Sequence, residues 1–286
     1  MIVDARGVER RTFEGAHGGE LVADVHGDPA APPILLLHGG GQTRNAWGNT
    51  AARLAAAGFC AINVDQRGHG ESAWDPGERY GLDDFRGDLV ALLESLDRPA
   101  AVVGASLGGL AALLAEGEAE VPRSSAVVLV DVAHRLERQG VMRIMRFMLA
   151  KAEEGFGSLE EVADAVAAYL PHRRRPRDPS GLAKNLRLGP DGRYRWHWDP
   201  AFVAGKQHND PGTIKVRLAT AAANLRVPTL IVRGRLSDVL SAEVVDEFVS
   251  LAPHAEAVDV AAAAHMVAGD RNDRFTAAVV DFLRGL

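Results

Sequence analysis

The sequence predicts an α/β chain: a mostly parallel sheet flanked by helices, with a helical cap inserted after the sixth strand. Three observations predict it. Short continuous apolar runs, the mark of strands buried on both faces, alternate with helical periodicity from residue 34 to residue 134. That rhythm then breaks for about 90 arginine-rich, aromatic and proline-punctuated residues, and resumes at Pro228. The composition, 47% hydrophobic and 24% charged over 286 residues, suits a globular chain with a sizeable core.

The elements follow in order. Arg11 to Gly15 and Leu21 to His26 alternate in polarity around Gly18-Gly19, which predicts an opening antiparallel hairpin. Ile34 to Leu37, behind Pro32-Pro33, reads as a buried parallel strand. A helical pattern runs through Trp47, Leu54 and Ala57 to Gly58, and a strand follows at Cys60 to Val64. Phe85, Leu89, Leu92 and Leu93 place one face of a helix over Asp83 to Leu96. Then come a strand (Ala100 to Val103), a helix (Leu107 to Ala115) and a strand (Ala126 to Val130). Beyond His134, helical patterns lie near Gly140 to Ala152 and Leu159 to Tyr169. A turn-rich piece covers Gly189 to Asp199, and a further helical stretch runs from Pro211 to Leu225. A structureless loop of that length is improbable. Residues 135–225 are therefore read as a cap inserted into a core of 1–134 and 226–286. The core resumes as strand Thr229 to Val232, helix Ala242 to Leu251, strand Ala257 to Val260 and helix Arg274 to Leu283.

Charge and composition exclude several classes. A net charge of −6 argues against a nucleic-acid partner. Cys60 is the lone cysteine, so no disulfide framework exists. The most apolar window, Ala100 to Ala115, is too short for a membrane span. The first 30 residues show no basic start followed by an apolar run, so the expectation is a cytoplasmic protein acting on a small molecule, with no membrane partner. Arg173, Arg174, Arg175 and Arg177 lie among prolines and read as a solvated loop. The histidines are scattered, without cysteine partners or i, i+4 pairing, and no phosphate loop of P-loop spacing occurs; neither a metal nor a cofactor is expected.

The chemistry-bearing motif is Gly104-Ala105-Ser106-Leu107-Gly108, between a strand and a helix. Ten serines and 30 glycines in 286 residues predict about 0.1 chance match to Gly-x-Ser-x-Gly, so the context matters more than the pentapeptide. A sharp strand-to-helix turn lifts a hydroxyl above the sheet, and the helix start aims N–H groups at an anion. His38-Gly39-Gly40-Gly41 ends another strand, where a glycine-rich turn can bend amides toward a developing oxyanion. The expected donors are the N–H groups of Gly40 and Leu107. His38 is read as shaping this loop through hydrogen bonds, with direct proton transfer the alternative.

With these two motifs, Asp65-Gln66-Arg67-Gly68-His69-Gly70-Glu71-Ser72 and Ala264-His265-Met266, the chain resembles the α/β-hydrolase-fold superfamily over nearly its whole length. The resemblance implies a nucleophile, acid, base order of Ser, Asp or Glu, His. Ser106 would be the nucleophile and His265, after the last strand, the base; His254 falls before that strand, and His69 belongs to a structural turn. The resemblance favours Asp238 as the acid, although its spacing from Gly234 is one residue longer than the commoner Gly-x-x-Asp. Asp131, at the end of the preceding strand, is the alternative acid, while Asp259 and Asp270 are weaker candidates. The expected reaction is acyl-enzyme hydrolysis of a small or medium, largely apolar ester, lactone or thioester.

Phe147, Met148, Trp196, Trp198 and Phe202 form either the wall of the substrate pocket or the core of the cap. A serine at the elbow argues against epoxide hydrolases and haloalkane dehalogenases, which use a carboxylate. Carbon–carbon bond hydrolases share Ser, Asp and His and stand as a competing reading, although they commonly carry Trp after the base where this chain has Met266. A cofactor-free perhydrolase or haloperoxidase, an acyltransferase and a ligand-binding receptor of the same fold are the other competing readings.

Overall fold

The computed structural model describes residues 2–3, 7–171, 174–204, 211–265 and 272–286. Its centre is a nine-stranded sheet in the order β1-β2-β3-β5-β4-β6-β7-β10-β11. A two-residue strand, β1 (Ile2–Val3), precedes the expected hairpin of β2 (Glu9–Glu14) and β3 (Glu20–His26). These three run antiparallel along one edge, and β3 pairs antiparallel with β5 (Cys60–Val64). The remaining neighbours are parallel: β5 with β4 (Pro33–Leu37), then β6 (Ala101–Ala105), β7 (Ala126–Val130), β10 (Thr229–Gly234) and β11 (Glu256–Val260).

The continuous apolar runs serve two faces at once. Leu35, Leu37, Ile62, Val64, Val102, Val127, Leu129 and Ile231 point into one core layer. Their neighbours Ile34, Leu36, Ala61, Val103, Val128, Val130, Leu230 and Val232 point into the other. A strand period of two with helices on both sides requires this division. The first layer is closed by α2 (Leu82–Glu94), α3 (Leu107–Gly117) and α8 (Ala242–Leu251); the second by α1 (Gly48–Ala56) and α9 (Asn272–Arg284). The Ser241 hydroxyl caps α8 by accepting from Val244 N–H.

The cap enters after β7, which is the sixth strand of the sequence reading once the short β1 is set aside. It contains α4 (Arg138–Leu149), α5 (Leu159–Tyr169), a 3₁₀ turn (Pro179–Asn185) and α6 (Pro200–Ala204). The stretch expected to be turns folds as a hairpin of β8 (Leu186–Leu188) and β9 (Tyr194–Trp196). The last helix counted with the insertion, α7 (Pro211–Ala223), behaves differently: Leu218, Ala221 and Ala222 join the first core layer against α3. No helix among the described residues is long and apolar enough to cross a membrane.

Candidate active site

The loops leaving the carboxyl ends of β4, β6, β7, β10 and β11 converge, and β4 is flanked by β5 and β6, where the chain order reverses across the sheet. Open α/β sheets bind ligands at such a switch point. Ser106 sits there with φ 46° and ψ −111°, between β6 and α3. Close packing enforces this strained turn. A Cβ on Gly104 would lie 2.5 Å from the Gly108 carbonyl carbon, and one on Gly108 would lie 2.6 Å from the Leu37 Cβ. The glycines flanking the serine are thus required by the approach of helix to strand, and the motif is more than a coincidence of composition.

His265 follows β11, and its Nδ1 lies 2.7 Å from Oδ2 of Asp131. A carboxylate only accepts, so Nδ1 carries a proton, and in the neutral ring the lone pair is on Nε2. Asp131 is fully buried and held by more than the imidazole. Gly234 N–H donates to Oδ1 at 3.0 Å and the Ser237 hydroxyl to Oδ2 at 2.5 Å. Three donors offset the cost of burying this carboxylate. Its φ of 51° turns the side chain across the strand end toward β10 and β11.

The expectation that Asp238 meets the histidine is not realised in the structure. Asp238 lies on the cap side with 39% of its side chain exposed and is paired with Arg143 through two contacts of 3.0 Å. The reason is the extra residue in its spacing. Ser237 N–H closes a turn on the Gly234 carbonyl at 2.9 Å, which places Ser237 over the strand ends and carries Asp238 outward. Ser237, unremarked in the sequence, touches Asp131; its signal was the Gly-x-x spacing itself. Asp259 pairs with Arg233, and His254 contacts the Val227 carbonyl at the far end of the sheet. Met266, Asp270 and Arg173 lie outside the described residues.

The loop after β4 is fixed by two buried histidines. His38 donates from Nδ1 to the Gly39 carbonyl at 2.8 Å and accepts from Gln66 N–H on Nε2 at 3.0 Å. His69 donates from Nδ1 to the Arg67 carbonyl at 2.8 Å and accepts from Gly41 N–H at 3.0 Å. Burial pushes the His38 imidazole down to about 4. Burial, with His38 alongside, pushes His69 down to about 3. Both nitrogens of each ring are occupied, so both residues shape the loop and neither is placed to move a proton. The N–H groups of Gly40 and Leu107 have no acceptor among the described residues.

Ser106, His265, Gly40 and Leu107 all line one cavity of about 540 Å³ between sheet and cap. Phe147, Met148, Trp196, Trp198 and Phe202 line it as well and also pack with one another in the cap cluster, so the two roles proposed for them coincide. The cap is tied down beside this cavity. Asp199 N–H donates to the Gly68 carbonyl and Gly70 N–H to the His197 carbonyl, each at 2.7 Å, and the Tyr80 hydroxyl donates to Asp199 at 2.6 Å.

Comparison with known proteins agrees with this architecture. The family model described as "Alpha/beta hydrolase family" matches residues 34–278. An esterase of Mycobacterium tuberculosis is 31% identical over 186 residues, covering 62% of this chain and 59% of its own. The 3-hydroxybutyrate-oligomer hydrolase of Cupriavidus necator is 28% identical over 84% of each chain. The crystal structure of an E-2-(acetamidomethylene)succinate hydrolase superposes with a TM-score of 0.83 at 24% identity, over 97% of this chain and 99% of that one. The chain belongs to the alpha/beta hydrolase family.

Proposed function

We propose that the protein is a serine hydrolase that cleaves a small or medium, largely apolar ester, lactone or thioester through an acyl-enzyme, with Ser106 as nucleophile, His265 as base and Asp131 as acid. The observation that carries this reading is that His265, paired with the buried Asp131 behind it, lines the same cavity as the strained Ser106. His265 Nε2 takes the hydroxyl proton as Oγ attacks the carbonyl carbon. The oxygen gathers charge against the N–H groups of Gly40 and Leu107, at the positive end of α3. The imidazolium, held by Asp131, returns its proton to the leaving alcohol or thiol. Water then enters by the same route in reverse and frees the acid.

The apolar lining supports a carbon-rich substrate, and the enclosed volume supports a small one. In domain terms, residues 1–134 and 226–286 form the catalytic core and 135–225 the insertion, with α7 returning to the core. A fluorophosphonate probe read by intact mass tests the assignment. One adduct on Ser106 is expected, together with a loss of several orders of magnitude in 4-nitrophenyl ester turnover in Ser106→Ala. Full turnover by a clean Ser106→Ala preparation would defeat it, and an unlabelled, inactive wild-type protein would favour a binding role instead.

A further inference from the structure

The cavity beside Ser106 is asymmetric in polarity. Its cap side is mostly carbon and sulfur, from Ile144, Met145, Phe147 and Val166, with Tyr169 and Trp196 beside them. Where the Pro179–Asn185 turn meets the loop after β4, the lining becomes Thr43, Asn45, Lys184 and Asn185. Among the described residues no Asp or Glu lines the cavity, and Lys184 is the one Lys or Arg that does. Its ammonium has no carboxylate partner among the described residues, whereas Lys151 on the cap surface is paired with both Glu154 and Glu161.

A second observation concerns direction. Thr43, only 2% exposed, accepts from the Asn45 amide at 3.2 Å and donates its hydroxyl to Oδ1 of Asn185 at 3.1 Å. That donation fixes the Asn185 amide with its oxygen toward Thr43 and leaves its NH₂ as a donor without an acceptor among the described residues. The relay thus runs one way and ends on an unspent donor next in sequence to an unpaired cation. A carboxylate, which only accepts, matches both.

We propose that Lys184 and the Asn185 amide form an anion subsite, so that the substrate carries a carboxylate remote from the scissile carbonyl and an apolar body between the two. The subsite stands on its own geometry; that its ligand is an ester or lactone rests on the hydrolase reading above. The fluorescence of Trp47, Trp196 and Trp198, all on the lining, reads binding without turnover.

The test compares 4-phenylbutyrate with its neutral isostere 4-phenylbutanamide at low salt. The wild-type protein is expected to bind the carboxylate about tenfold more tightly, Lys184→Gln to lose that preference and Lys184→Glu to reverse it. The ratio of kcat/KM between mono-4-nitrophenyl glutarate and 4-nitrophenyl pentanoate should move in the same direction through the series. Equal binding of the two probes by the wild-type protein, or a carboxylate preference that survives in Lys184→Glu, overturns the subsite. A preserved binding preference with no hydrolysis of either ester overturns the hydrolase reading and leaves the subsite standing.

Discussion

The carboxyl edge of the sheet and the underside of the cap face each other across one cavity and are held by different physics. At the sheet edge, order comes from directed hydrogen bonds. Asp131 accepts from three groups, and His38 and His69 each use both ring nitrogens. Under the cap, order comes from contact area. Phe147 stacks on Tyr169 at 4.1 Å and Trp196 on Trp198 at 5.2 Å, with Met148 packed in the same cluster. Directed bonds tolerate little displacement, whereas aromatic and thioether surfaces repack. On the proposed reading, the bond-breaking belongs to the core and the choice of substrate to the cap.

The comparison predicts steep losses on one side and shallow ones on the other. The largest loss is expected from Asp131→Asn, which reverses the hydrogen-bond demand on His265 and should lower kcat by about 10³- to 10⁴-fold. Asp238→Asn should leave kcat within about threefold of wild type, since it loses only a half-exposed ion pair. Steady-state kinetics on one ester decides between them, and the opposite order would return the acid to Asp238.

Acid should loosen the sheet edge next. His38 and His69 titrate lower in the folded protein (about 4 and about 3) than at the ordinary histidine value of 6.5. The unfolded chain therefore binds their protons first. Stability is full above pH 6.5 and falls as the pH drops toward the folded values, by about 3 kcal/mol for each histidine at pH 4. Urea midpoints from pH 7 to pH 4 measure this, and His69→Gln, which keeps an acceptor for Gly41 N–H, should flatten the slope. An unchanged slope in that variant would refute the buried-neutral assignment.

Ser237→Ala removes one of the three donors to Asp131 and should cost about tenfold in kcat, with the acid arm of the pH profile displaced, because His265 acts as base only when neutral. A purely structural serine would leave that profile in place. The smallest effect is expected under the cap. Phe147→Leu keeps an apolar wall and should change the hexanoate-to-acetate ratio of kcat/KM by about threefold, through KM. A collapse of kcat instead would show that the cap also orders the reacting groups.

The amino-acid sequence carries the parallel sheet, the interruption after His134 and the elbow at Ser106. All three are local: buried strands announce themselves as apolar runs, and a strained turn announces itself through its glycines. It also determined that a histidine follows the last strand. Which aspartate reaches that histidine is set in three dimensions, because the outcome turns on a single residue of phase in the loop after β10. Ser237 therefore lies where an aspartate was expected, and Asp131 crosses from the neighbouring strand end. The structure alone likewise returned α7 to the core and brought Lys184 and Asn185 beside Thr43 and Asn45. Contacts between residues more than a hundred positions apart leave no period in the chain for a sequence reading to find.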